Sequence, residues 1–239
     1  MAFGPNSRVA QAPVSTAQID EGLRSYMLSV YNYMGLGLAL TGLVAFLTAS
    51  TPAIYVPIFS TPLKWVVMLA PLGFVFFLSF RIQKMSLGAA QLTFWAFATV
   101  MGLSMASIFL VFTGESIARV FFITAGVFGA MSLYGYTTKR DLSAWGSFLF
   151  MGLIGIIIAA LVNIFLQSSA LQFAISVIGV LVFTGLTAYD TQRIKEVYFE
   201  VAGHAEAIGK ATIMGALSLY LDFINLFMML LQLFGQSRE

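Results

Sequence analysis

Residues Ala211–Phe234 read ATIMGALSLYLDFINLFMMLLQLF, an unbroken apolar run with a single formal charge, Asp222. A bilayer core is crossed by about 20 apolar residues in helical form. Strands of a membrane barrel alternate apolar and polar residues, so this continuous run reads as a helix that crosses a membrane. Gly215, Ser218, Asp222, Asn225, Met229 and Gln232 recur at steps of three and four, which places them on one face. A helix facing lipid would not carry Asp, Asn and Gln on one stripe. This helix is therefore expected to sit against or among others, its stripe turned to a polar or intermittently wet interior.

Working outward, six further apolar stretches precede it: Leu28–Ala49, Trp65–Phe80, Ala89–Phe112, Ile117–Tyr136, Gly146–Leu166 and Leu171–Tyr189. Composition agrees with an all-α polytopic membrane protein of seven transmembrane helices. Of 239 residues, 9% are charged and 59% apolar, whereas an average soluble domain is about 25% charged. The absence of cysteine excludes disulfides, thiolate nucleophiles and cysteine-held zinc or iron–sulfur centres. One histidine, His204, cannot form a multi-histidine metal site. A net charge of +2, scattered along the chain, argues against nucleic acid as a partner. The lipid bilayer is the expected environment, and neither an enzyme nor a resident cofactor is expected.

Residues 1–27 are polar and mixed, and are read as a flexible N-terminal tail without a cleavable signal sequence. The tail is expected to become helical near Ser15–Gln18, with Ser15 and Thr16 as caps. Residues 28–239 form the transmembrane domain. Arg8, Arg24, Arg81, Lys84, Lys139, Arg140, Arg193, Lys195 and Lys210 fall on one side of this topology, and only Lys64, Arg119 and Arg238 on the other. The positive-inside rule then places the N-terminus in the cytoplasm and the C-terminus outside. Small residues at helical spacing are read as packing seams: Gly35, Ala39 and Gly42; Ala98, Gly102 and Ala106; Ala125, Gly129 and Ser132; Gly152, Gly155 and Ala159. Asn163, which follows the last of these, is read as an interhelical hydrogen-bonding residue.

Most charges fall in loops; Asp222 does not. It lies about 15 Å into its span at 1.5 Å per residue. A carboxylate at that depth is unfavourable by roughly 3 kcal/mol or more on insertion scales, so it must be protonated, paired or hydrated. Asp190 closes the preceding span on the side from which the last one starts. Two consecutive antiparallel helices can bring the two together, and close carboxylates share a proton and titrate as a unit. Arg81 ends the second span on the same side and can compete for Asp190. Spacing alone leaves a second arrangement open, with Asp190 solvated at a helix end and Asp222 bonded to a neighbouring helix.

Ala188-Tyr189-Asp190-Thr191-Gln192 and Leu219-Tyr220-Leu221-Asp222-Phe223-Ile224-Asn225-Leu226-Phe227 resemble the last two helices of the transmembrane Bax inhibitor motif family, including its bacterial YccA-like members. Lys139-Arg140-Asp141-Leu142 followed by Gly146-Ser147-Phe148-Leu149 resembles that family's fourth loop and fifth helix. The similarity runs from about Arg24 to Gly235. It implies a C-terminal helix central among six others, and a pH-dependent calcium leak gated by a proton-sharing aspartate pair matching Asp190 and Asp222. Arg81 most nearly matches the family's competing arginine, with Lys84 and Arg140 as alternatives. It also implies a bacterial inner membrane. Some bacterial relatives are linked to modulation of a membrane-bound protease, which would make the polar tail a recognised element.

Calcium prefers oxygen ligands. Asp190, Asp222, Asn225 and wet backbone carbonyls are expected to offer it a weak, transient site, with Ser218 further along the same path. Tyr189-Asp190 superficially fits an intramembrane aspartyl protease, but Leu219-Tyr220-Leu221-Asp222 lacks the glycines that precede the second aspartate there. A retinal protein needs a lysine in mid-membrane, and Lys210 lies at the edge of its span. A proton-coupled transporter is the remaining transport alternative, although paired broken helices are not evident. His204 is read as a solvated loop residue.

Overall fold

A computed structural model describes residues 16–238. Eight α-helices follow in order: α1 Thr16–Ser50, α2 Pro52–Phe59, α3 Leu63–Arg81, α4 Leu87–Val111, α5 Gly114–Thr137, α6 Ser143–Leu166, α7 Ser169–Val201 and α8 Ala205–Phe234. One 3₁₀ turn, Ile82–Lys84, joins α3 to α4. Seven of the helices, all but α2, are long and apolar enough to cross a membrane. The short α2 lies in the connection between α1 and α3 and starts on Pro52, where the missing N–H is no loss.

Side-chain caps set several boundaries. Ser86, Thr113 and Ser168 each accept a hydrogen bond from the backbone N–H three residues on, at 3.3 Å in each case. These bonds satisfy donors that a helix start would otherwise leave unpaired. Thr113 and Ser168 allow the α4–α5 and α6–α7 turns to be very short. Gln167 closes α6 in the left-handed region (φ 48°).

α8 is the centre of the bundle. Of its most apolar window 67% is buried, against 11–39% for the other six spans. It packs on α7, α1, α5, α4 and, over a short stretch, α3; α6 reaches the bundle almost wholly through α7. Tyr220 fixes the level at which α8, α1 and α4 meet. Its hydroxyl lies 2.6 Å from Thr41 Oγ1, which donates to Ala98 O at 2.8 Å. Phe94 and Phe97 pack edge-on against the Tyr220 ring.

Two ends can be told apart. At one, Tyr26 of α1 packs at a tilt against Tyr198 of α7 with centroids 5.4 Å apart, and Gln192 of α7 bonds Arg140 O and Leu142 N. Lys210 of α8 donates to Gln83 O at that end too. At the other, Gln236 O accepts from Thr113 N and Arg238 N donates to Val111 O, tying the C-terminal segment to the α4–α5 turn.

Several expectations need correction. Residues 1–15 of the expected tail lie outside the described residues, but 16–27 belong to α1, and Leu23, Tyr26 and Met27 are buried. Among the seams, Ala98, Gly102 and Ala106 are buried, and a Cβ on Gly102 would meet Thr41 O at 2.7 Å. Gly35, Ala39 and Gly42 are instead exposed, and α1 approaches Phe94 and Tyr220 through Gly37. On α5 the close approach is at Gly135, against the backbone of Ala188, while Gly129 meets open space. On α6, Gly152 meets Val182 and Gly155 meets nothing. Small residues permit close approach, but which of several stripes is used depends on how each helix is rotated.

Candidate functional site

Asp222 lies on the buried face of α8, 5% exposed, and its Oδ2 has no hydrogen-bond partner. Asp190 projects from α7, the helix most extensively packed on α8, and the two carboxyl groups approach closely enough for a direct hydrogen bond. Asp190 does not close its span as the sequence suggested, because α7 does not end at Tyr189. It runs three turns past Asp190 to Val201, about 16 Å at 1.5 Å per residue. Asp190 is therefore a mid-helix residue facing Asp222, not a solvated terminus.

The pair borders two cavities. One, of about 600 Å³, lies in the trough that α7 floors between α6 and α8. Gly146, Ser147 and Tyr189 line it together with Asp190, Arg193, Ser218, Asp222 and Asn225. The other, of about 250 Å³, lies between α1, α7 and α8 and is lined by Tyr26, Asp190, Arg193 and Ser218. Ser218, Asp222 and Asn225 thus share one wet-sized space, as the stripe on α8 requires. Asn225 donates its amide N–H to Leu221 O at 2.8 Å.

Arg81 is not brought to the pair. It is exposed in the last turn of α3 and lines neither cavity. Lys84 and Arg140 are exposed as well and line neither. The cation that faces Asp190 is Arg193, one turn further along the same helix, and it lines both cavities. The i, i+3 spacing of Asp190 and Arg193 was a usable signal, obscured by reading the helix as ending at Tyr189. A second residue missed by sequence reasoning is Tyr26. Its hydroxyl is buried without a partner and borders the smaller cavity. His204 is exposed at the start of α8.

Beyond Asn225 the α8 stripe is interrupted. Met229 packs against Gly179 of α7, where a Cβ would lie 2.8 Å from the methionine sulfur. One turn further out, polar contacts resume between three helices. Asn163 of α6 donates to Gln172 of α7 at 3.2 Å, and Gln172 donates to Gln232 of α8 at 2.5 Å. Ser176 also donates to Gln232, at 2.9 Å. Asn163 is an interhelical hydrogen-bonding residue, as its position suggested. Among the described residues no group of three or more His, Cys, Asp or Glu is placed to hold a metal ion. The pair can offer a cation two carboxylates and neutral oxygens, a set too sparse in charge for tight calcium binding.

The sequence matches the family described as "Inhibitor of apoptosis-promoting Bax1" over residues 23–239. It is 53% identical to an uncharacterized protein of Rickettsia prowazekii over 220 residues, covering 92% of this chain and 93% of that one. It is 49% identical to the inner membrane protein YbhL of Escherichia coli over 226 residues, covering 94% and 97%. An uncharacterized protein of Caulobacter vibrioides is 46% identical over 242 residues, covering 98% and 97%. With the match extending over nearly all of the bundle, and with Asp190 and Asp222 facing each other within it, this chain belongs to the Bax inhibitor-1-like family of membrane proteins.

Proposed function

We propose that this protein is a pH-sensitive calcium leak of a bacterial inner membrane, gated by the proton that Asp190 and Asp222 share. The observation that carries this reading is Asp222: a mid-helix carboxyl group, buried, with one oxygen unpartnered, beside a second carboxyl group at the edge of a cavity of about 600 Å³. Two carboxyl groups this close hold one proton between them over a range of pH. Losing that proton leaves mutually repelling charges that favour separation of α7 from α8, a cation in the cavity, or a turn of Asp190 toward Arg193. Arg193 takes the competing role that the sequence assigned to Arg81. Calcium is cargo here, held weakly by Asp190 and Asp222 with Ser218 and Asn225 along its path. No catalysis and no resident cofactor are assigned.

The printed name of the Escherichia coli relative supports an inner-membrane location. The nine-to-three division of basic residues supports a cytoplasmic N-terminus and an external C-terminus.

Calcium flux into indicator-loaded proteoliposomes tests the reading. Wild-type protein should leak calcium at a rate that varies with pH. Asp222→Asn and Asp190→Asn should each flatten that dependence and change the rate several-fold. An unchanged rate and pH profile in both variants refutes the gate.

A further inference from the structure

We infer that the seam between α1 and α5 is a binding site for an anionic phospholipid, with the phosphate held at Arg24 and Lys195 and an acyl chain lying in the seam. α1 and α5 both pack on α8 yet barely touch each other. The space between them holds two cavities stacked along the same helix pair. One, of about 570 Å³, is lined by Arg24, Met27 and Tyr31 of α1 and by Phe128, Leu133 and Tyr136 of α5. The next, of about 270 Å³, is walled by α4 as well as by α1 and α5, and reaches inward to Ile224 and Phe227 of the central helix. This is a recess rather than a flat helix face, and its walls are almost wholly apolar.

The few polar groups on its floor are already bonded within the protein. Tyr31 and Ser132 hydroxyls lie 2.5 Å apart, and Ser132 is 3.0 Å from Thr191 Oγ1. A chain of water molecules would find little to bond there, whereas hydrocarbon suits the walls. The mouth is different. Arg24 is exposed and makes no ion pair among the described residues. Lys195 donates to Tyr136 O at 2.9 Å and sits 5.7 Å from the centroid of the same ring, which lines the cavity. No carboxylate lines the cavity. Two cations beside an apolar recess complement a phosphate joined to an acyl chain, the pattern by which basic pockets between transmembrane helices take anionic lipids.

The dimensions agree. From Arg24 to Tyr31, the α1 residues that line the larger cavity, the helix rises about 10 Å, within the half-thickness of a hydrocarbon core of roughly 30 Å. The larger cavity therefore fits within one leaflet, with its cations at headgroup level. Gly129, on its wall, has nothing within 4 Å of where a Cβ would be, so a side chain added there starts from open space in the seam. The Ser132–Thr191 bond ends one residue from Asp190, so a lipid in this seam rests against the helix that carries the pair. The site itself does not depend on the calcium reading.

The test is to purify the full chain in mild detergent from membranes of mixed composition and to quantify retained phospholipid by mass spectrometry. Wild type and Arg24→Lys should retain anionic lipid preferentially. Gly129→Phe, and separately the double variant Arg24→Gln/Lys195→Gln, should lose most of it while keeping wild-type elution and melting temperature. Retention unchanged in both variants overturns the site. Equal retention of zwitterionic phospholipid, which carries the phosphate without the net charge, overturns the preference for anionic lipid. Because the chain has no cysteine, Gly129→Cys provides a further check: a disulfide-linked dimer formed in native membranes would show that a second copy, not a lipid, occupies the seam.

Discussion

Thr41 shows what one hydroxyl does in this interior. It bonds Tyr220 and Ala98 O at once, and all three helices that meet there are held by it. Thr41→Val keeps the shape but strands the buried Tyr220 hydroxyl and removes a donor from Ala98 O. Leaving a buried polar group unsatisfied costs about 1–3 kcal/mol, so this variant should lower the melting temperature measurably in detergent, and Tyr220→Phe in the same background should recover part of the loss. Asp141 is a useful contrast to the buried pair. It lies outside the spans, in the α5–α6 connection, and a hydrogen bond from Ser143 holds its carboxyl below the usual carboxylate range. Its folded value is depressed, so any stabilisation it brings is present above the unfolded value of about 3.9. That contribution is lost only as pH falls below this value. It is therefore unchanged across neutral pH, and Asp141→Asn should leave the pH profile of calcium flux as in wild type, while the variants of Asp190 and Asp222 should not. Asp222 stood out in the sequence because a charge inside an apolar run is conspicuous. Tyr26 did not, because nothing in a tyrosine near a span edge tells whether its hydroxyl meets water or a closed cavity.

At the scale of elements, rotation about the helix axis separates what the sequence made legible from what it did not. The apolar runs located all seven crossing helices; of the α8 stripe, Ser218, Asp222 and Asn225 line one cavity, while Gln232 at its far end is exposed. The α1 stripe of Gly35, Ala39 and Gly42 had helical spacing, as did the buried stripe of α4, yet it is exposed. Spacing marks a face; only the neighbour decides whether that face is used. Gly135 and Gly129 on α5 make this testable. A side chain at Gly135 runs into the Ala188 backbone, and forced overpacking typically costs 1–3 kcal/mol, roughly. Gly135→Val should therefore destabilise the protein, whereas Gly129→Ala should be neutral or slightly stabilising, since alanine is the better helix former. Met229 belongs to the same scale. It stands on Gly179 between the Asp222 cavity and the outer Asn163–Gln172–Gln232 contacts. Met229→Ala should increase calcium leak several-fold if the path follows the α8 stripe, and an unchanged rate would place the path elsewhere.

For the whole molecule, sidedness can be measured directly because every introduced cysteine is the only one. His204 and Ser169 are exposed at opposite ends of the bundle. A membrane-impermeant thiol reagent should modify Ser169→Cys from the outside and His204→Cys only after the membrane is opened. The reverse pattern would invert the proposed orientation. The sequence by itself determined the class of protein, the number of crossing helices, the grouping of basic residues and the two aspartates. All of these follow from hydropathy and charge along the chain, which are local quantities. Tertiary structure alone decided that α7 carries Asp190 past the expected span edge to face Asp222, that Arg193 rather than Arg81 is its cation, and that α1 and α5 leave a seam between them. The reason is physical. Lipid surrounds every span with nearly the same apolar environment, so hydropathy fixes that a helix crosses but says little about how it is rotated or which neighbour it meets. Those are set by the shapes that pack around α8.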